Sequence, residues 1–202
     1  QKIAGSSTAA IRSALSTRLN GIKNGQIDNA EDYDPEFDMD EVAEVVPMNY
    51  SVQRTFDDRP ETEVIQELID EADRCMELET DAKAEAMCEV IEKKRIEEGD
   101  YHLKVLVFTE FRATQNYLVK YLTSKGFSCQ TINGAMSLEE RQAALNRFKD
   151  DSDIMVSTDA AGESLNMQFC HIVFNYDLPW NPMAIEQRIG RVDRIGQKHP
   201  VT

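Results

Sequence analysis

KVLVFTEFRATQNYLVKYLTSKGFSCQTI, residues 104–132, decides the fold. KVLVFT (104–109) is a short apolar, β-branched run, the pattern of a strand covered on both faces. A helical stretch follows, with Phe111, Tyr117, Leu118, Tyr121 and Leu122 as its buried face, and Gly126 stops it. FSCQTI (127–132) returns to strand grammar. Strand, helix and strand at this spacing make a βαβ unit, and a βαβ unit requires parallel strands.

The pattern continues outward. SLEERQAALNRF (137–148) reads as a helix opened by a capping box, with Ser137 as cap and Glu140 three residues on. DIMVST (153–158) and HIVFNY (171–176) are two more strand-like runs. IEQRIGRVDRIG (185–196) reads as a closing helix. The expected fold class is α/β: an open, mostly parallel sheet flanked by helices over 101–202. Ligands of such sheets sit beyond the carboxyl ends of the strands.

Residues 1–100 follow another grammar. A helix is expected over 6–23, with Ala10, Ile11, Ala14, Leu15 and Leu19 at helical spacing and Ser7 or Thr8 as cap. Residues 31–44 carry eight acids and no base around Pro35, the composition of a solvated, disordered insert. An EF-hand counted from Asp32 fails there, because Phe37 stands where Gly is needed and Ala43 where Glu is needed. Residues 61–98 show two apolar stripes, Val64, Ile65, Leu68, Ile69, Ala72 and Ala82, Ala86, Val90, Ile91. Asp58 can cap the first helix, with Pro60 near its first turn, and Thr80 or Asp81 the second. They read as an antiparallel helical pair packed on the lobe. The expected organisation is a helical lead-in at 1–28, an acidic insert at 29–58, the helical pair at 59–100 and the α/β lobe at 101–202.

The net charge of −15 lies wholly in the first half. Residues 1–100 hold 26 acids and 11 bases, whereas 101–202 hold 11 of each. A uniformly basic nucleic-acid binder is excluded, but the neutral half is free to face phosphates. Cys75, Cys88, Cys129 and Cys170 form no CxxC pair, so no metal spacing exists and reduced thiols in a cytoplasmic protein are expected. No 18-residue apolar run is present, so no transmembrane helix is expected, and no signal peptide is expected either. The chain begins at Gln1 and stops at Thr202 just past a motif, as expected of a piece of a longer protein.

Three segments fall where the sheet rule places chemistry: the turn Thr109–Phe111, STDAAGESLNMQ (157–168) and QRIGRVDRIGQ (187–197). Small residues let a backbone approach phosphate, and Ser/Thr hydroxyls donate to its oxygens, although a plain tight turn has the same composition. Arg188, Arg191 and Arg194 are spaced by three, so on a helix they share roughly one side. Guanidinium forks match phosphate, and an ion-paired surface with Glu186 and Asp193 is the alternative.

VLVFTEF (105–111), NGAMSLEER (133–141), STDAAGESLNMQ, DLPWNP (177–182) and QRIGRVDRIGQ resemble, in order and spacing, motifs IV, IVa, V, Va and VI of superfamily 2 helicases. The DLPWNP element and the RIGQ ending resemble the Swi/Snf-type branch of double-stranded DNA translocases, in its bacterial form. The resemblance covers 101–202 and extends weakly to SSTAAIRSAL and the helix at Asp81–Lys83. It implies the second of two RecA-like lobes, with ATP and Mg held between them in the intact protein and neither bound firmly by this chain. Arg191 and Arg194 would be the arginine fingers, worth about 10³–10⁵ in rate. Gln187 would position the nucleotide. Gly162, Glu163 and Asn166 would couple nucleotide and DNA sites. Thr109, Gly134 and Thr158 would follow one phosphate backbone. Trp180 would lie beside DNA, a buried loop anchor being its other reading.

Ser164 stands where family members usually have Gly. The chain contains no GxxxxGK[ST] loop and no DExH strand end, which the family keeps in the first lobe. Implied partners are that N-terminal lobe of the same polypeptide, duplex DNA in preference to RNA, and a protein on the acidic helices. No membrane or protein-bound metal is expected. Rival readings are an RNA-directed superfamily 2 helicase and a non-catalytic interaction module.

Overall fold

The computed structural model of the chain describes residues 5–24, 55–56, 59–78, 81–159 and 166–202. The acidic insert at 31–44 lies outside them. So does Asp58.

The lobe is built on four parallel strands, β3 (Val105–Thr109), β4 (Cys129–Ile132), β5 (Ile154–Thr158) and β6 (Ile172–Asn175), in the order β4-β5-β3-β6. Central β3 and β5 are buried at every residue. That is why they read as continuous apolar runs: both faces of the sheet are covered. On one face, Ala84, Met87, Cys88 and Ile91 of α3 (Ala82–Glu98) and Leu118 and Leu122 of α4 (Arg112–Ser124) meet Val105, Val107, Ile154, Val156 and Ile172. On the other, Ala144, Leu145 and Phe148 of α5 (Leu138–Asp150) join Met167, Cys170 and Val192 over Leu106, Phe108 and Met155. Beyond β6, the Thr202 N–H donates to the His171 carbonyl and its own carbonyl accepts from the Val173 N–H.

The caps agree with their local chemistry. Ser7 accepts from the Ala10 N–H at the start of α1 (Thr8–Lys23). Asp81 accepts from the Lys83 and Ala84 N–H groups, and Ser137 and Glu140 form the reciprocal box of α5. Gly126, at φ 91°, follows α4 in the left-handed region that suits glycine.

The antiparallel helical pair differs from expectation in its members. A short antiparallel pairing of β1 (Thr55–Phe56) with β2 (Arg59–Pro60) precedes α2 (Glu61–Leu78). Ile65 and Ile69 of α2 pack with Leu15, Leu19 and Ile22 of α1. Ion pairs Arg12–Asp73 and Arg18–Glu61 fix the antiparallel direction. The second helix, α3, belongs to the sheet. Ala84, Met87, Cys88 and Ile91 of α3 are buried against the strands, whereas the α2 stripe is covered by Leu15, Leu19 and Ile22 of α1.

Candidate functional site

The carboxyl ends of the strands carry a connected polar cluster. Thr109 and Thr158, register partners at the ends of β3 and β5, are both fully buried. Asp159 follows Thr158, and Arg188 clamps it. Arg188 lies near the end of α6 (Pro182–Ile189), a helix opened by the Asn181 side chain, with Pro182 in its first turn. Its Nε and Nη2 donate to the two Asp159 oxygens at 2.6 Å each, and its Nη1 donates to Asn175 Oδ1 and to the Asp177 carbonyl at 2.8 Å each. The guanidinium lies 5.1 Å from the Phe108 ring centroid, and the side chain is fully buried. One residue thus ties the ends of β5 and β6 to α6.

Asp177 is the second hub. Its Oδ2 accepts from the Thr109 hydroxyl at 2.5 Å, the Ser6 hydroxyl at 2.8 Å and the Glu110 N–H at 3.1 Å, and its Oδ1 pairs with Lys83 Nζ at 3.3 Å. Beside it, the Tyr176 hydroxyl donates to Asp81 Oδ2 at 3.1 Å. Burial, then the Asp81 carboxylate, pushes the Tyr176 phenol well up. Gln115 does similar work one strand over, donating to the Ile132 and Val156 carbonyls at 3.0 and 2.9 Å.

The arginine stripe is corrected by the structure. Helix α6 stops at Ile189, and 190–197 proceeds in tight turns. Val192 must drop into the core beneath Phe108, and Met167 N–H grips the Arg191 carbonyl at 3.1 Å, so the helix cannot continue. The three arginines therefore do not share a helix face. Arg188 is enclosed. Arg191 is 6% exposed, with Nη2 3.5 Å from the Asp159 carbonyl and its guanidinium 5.7 Å from the Phe108 centroid. Arg194 is exposed, its Nε donating to the Gly190 carbonyl at 3.1 Å.

The remaining expected residues divide clearly. Arg191, Thr158 and Thr109 meet around Asp159 and Asp177. The Thr109 hydroxyl is committed to Asp177. Gly134 belongs to a different contact, its carbonyl accepting from Arg141 at 2.6 Å. Asn166 is exposed, its side chain accepting from the Gln168 N–H at 3.3 Å. Gln187 is exposed. Gly162, Glu163 and Ser164 lie outside the described residues. Trp180 is 80% exposed, flanked by exposed Leu178 and Met183, so it is no buried anchor.

Sequence reasoning missed the hubs. Asp177 opens the DLPWNP element and was legible only as part of it. Gln197 was equally silent: its Nε2 donates to the carbonyls of Gln168, Cys170 and Val192, knotting the RIGQ turn to the segment after β5. Thr114 and Gln115 did leave a signal, as polar residues on the buried stripe of α4.

The family described as Helicase conserved C-terminal domain matches residues 82–196, more than half of the chain. The chain is 39% identical over 129 residues to the uncharacterized ATP-dependent helicase YqhH of Bacillus subtilis, a match covering 64% of the chain and 22% of that protein. It is 36% identical over 96 residues to the DEAD-box ATP-dependent RNA helicase RhpA of Helicobacter pylori, covering 47% of the chain and 20% of that protein. Among solved structures it resembles the C-terminal part of the Fun30 ATPase domain, with a TM-score of 0.56, 21% identity, and coverage of 71% of this chain and 53% of that one. The chain therefore spans about a fifth of the length of these curated relatives.

Proposed function

Because the chain belongs to the helicase conserved C-terminal domain family of superfamily 2, we propose that it is the second motor lobe of an ATP-dependent, Swi/Snf-type DNA translocase. It would close on an N-terminal RecA-like lobe of the same polypeptide. One observation carries the reading: the segment 188–194 is anchored at the carboxyl edge of the sheet by the four hydrogen bonds of Arg188. That anchoring holds Arg191 against the end of β5 and leaves Arg194 exposed at the edge.

The chemistry fits a phosphate-facing half-site. Charge builds on a phosphoryl group in transfer, and fixed guanidinium groups lower its energy. Arg194 is the finger that reaches across, and Arg191 lies beside it at the Asp159 end. ATP, held between the two lobes, would bring its triphosphate and Mg to the cleft. This chain offers that cleft cations, and the phosphate loop and metal carboxylates belong to the first lobe. Gln187, exposed on α6, would contact the nucleotide, with Gly162, Glu163 and Asn166 linking the nucleotide to the track. The exposed Trp180 loop supports a nucleic-acid surface beside it, with Gly134 along the backbone, whereas Thr109 and Thr158 are fully buried and serve the strand ends instead. The likeness to the Bacillus ATP-dependent helicase supports ATP use, and the Swi/Snf-like DLPWNP and RIGQ elements favour duplex DNA. The likeness to a DEAD-box RNA helicase keeps RNA as the second substrate class.

In the complete protein, Arg194→Ala should lower ATPase turnover about 10³-fold or more, while duplex DNA affinity stays nearly intact. Equal losses of both would refute the finger role. Stimulation of that ATPase by duplex DNA, single-stranded DNA and RNA separates the substrate classes. The 202-residue chain alone should not turn over ATP. A turnover abolished by Arg191→Ala would overturn the half-site reading.

A further inference from the structure

Ser6 and Ser7 precede α1 and are 3% and 5% exposed, although the motor reading gives them no task. Ser7 Oγ accepts from the Ala10 N–H at 3.1 Å. Ser6 Oγ and Ser7 Oγ each lie 2.8 Å from Thr114 Oγ1, and Ser6 donates to Asp177 Oδ2 at 2.8 Å. Thr114 is fully buried in the first turn of α4.

A hydroxyl has one proton to give, an amide N–H can only donate and a carboxylate can only accept. The two ends therefore fix the direction of the whole chain. Ala10 N–H donates to Ser7, Ser7 to Thr114, Thr114 to Ser6, and Ser6 to Asp177. Hydrogen bonds linked in a buried chain of this kind polarise and strengthen one another, so removing one weakens the rest. Lys83 closes the same cluster, its Nζ donating to the Gly5 carbonyl at 3.0 Å and lying 4.0 Å from the Tyr176 centroid.

We infer that Ser6, Ser7 and Thr114 are positioning residues that act through Asp177, forming a clasp by which the α1–α2 pair sets the loop 177–182. Asp177 opens that loop, its carbonyl holds Arg188, and Trp180 stands three residues on. A tilt of α1 breaks the relay, takes the Ser6 donor from Asp177 Oδ2 and so loosens the carboxylate that Thr109, Glu110 and Lys83 still hold, and with it the loop. Coupling of this kind is reciprocal: what loosens the loop must also loosen the start of α1. The inference goes beyond the motor reading, and its test uses neither nucleotide nor nucleic acid, so the two can fail separately.

The test is amide hydrogen exchange on the 202-residue chain, with fluorescence anisotropy of Trp180, its sole tryptophan. Thr114→Val keeps the shape and removes the central hydroxyl. Thr114→Ser restores it. In Thr114→Val the amides of Ala10 and Glu110, 100 residues apart in sequence, should both exchange about three- to tenfold faster, and Trp180 anisotropy should fall. Thr114→Ser should stay close to the parent in all three readings. Ser7→Ala alone should quicken the Glu110 amide, and Asp177→Asn the Ala10 amide. If each variant alters only its own end, if Thr114→Ser behaves like Thr114→Val, or if Trp180 anisotropy does not move, the clasp is wrong. Should Thr114→Val fail to fold, the reciprocal pair Ser7→Ala and Asp177→Asn decides by itself.

Discussion

Replacing Arg188 with Met is the sharpest perturbation of the site. Methionine retains much of the apolar stem under Phe108 and removes the guanidinium. Four hydrogen bonds go at once, two of them to a carboxylate at 2.6 Å. Removing one partner of a buried ion pair costs about 3–5 kcal/mol, most of it from the charge left behind. The Asp159 side chain is 24% exposed, so water recovers part of that, which places the loss near the lower end. The Asn175 side-chain oxygen and the Asp177 carbonyl also lose a donor, at roughly 1 kcal/mol each before any relaxation. Relaxation takes back part of this sum, and a loss of about 4–5 kcal/mol follows, or about 8–20 °C in Tm for a chain of this length.

Urea unfolding followed by far-UV circular dichroism measures it. Arg188→Lys should fall between parent and Met variant, since an ammonium keeps the charge but not the fork. The double variant Arg188→Met with Asp159→Asn should recover part of the loss, with a coupling of about 1–3 kcal/mol. A single Met variant within about 1 kcal/mol of the parent, or a double variant equal to the sum of the singles, would refute Arg188 as the clamp of this edge.

Two further outcomes follow from buried ionisable groups. Burial pushes the Asp153 carboxyl up, but hydrogen bonds from His102 and Ser128 and the charge of Arg95 outweigh it and hold it below its ordinary value. Its stabilisation is therefore complete above about pH 4 and is lost as pH falls through the lower folded value. The urea midpoint should drop more steeply below that pH in the parent than in Asp153→Asn, and parallel curves would count against the assignment. Burial also pushes the Cys170 thiol up to about 12. Maleimide at pH 8 should modify half-exposed Cys75 in the native chain and reach Cys170 only after urea is added, as mass spectrometry of the labelled peptides would show. Equal native rates at the two positions would contradict it.

What the sequence made legible follows from how burial writes itself into residue order. Strands β3 and β5 are covered on both faces, so Val105–Thr109 and Ile154–Thr158 are unbroken runs with no competing interpretation. Caps were legible because a cap is local: Ser137 and Glu140 need only each other. The partner of an amphipathic helix is not local. Ile65 and Ile69 demand an apolar face without saying which, and α1 supplied it while the neighbour in sequence, α3, went to the sheet. The arginine spacing failed for a related reason. A three-residue repeat means one face only while the helix lasts, and burial of Val192 ends it before Arg191.

Polar hubs are the hardest class, since a hydrogen bond between residue 6 and residue 177 has no period at all. What does betray them is a contradiction within a pattern. Thr114 and Gln115 stand on the inner face of α4, between Phe111 and Leu118, where the helical pattern calls for apolar side chains. A buried polar group there is tolerated only if every donor and acceptor finds a partner. Thr114 satisfies that demand through the serines before α1, and Gln115 through the carbonyls of β4 and β5. Both side chains therefore mark the edge where the sheet meets the loops of the candidate site. Substituting either by its apolar isostere should disturb that edge more than the core beneath it.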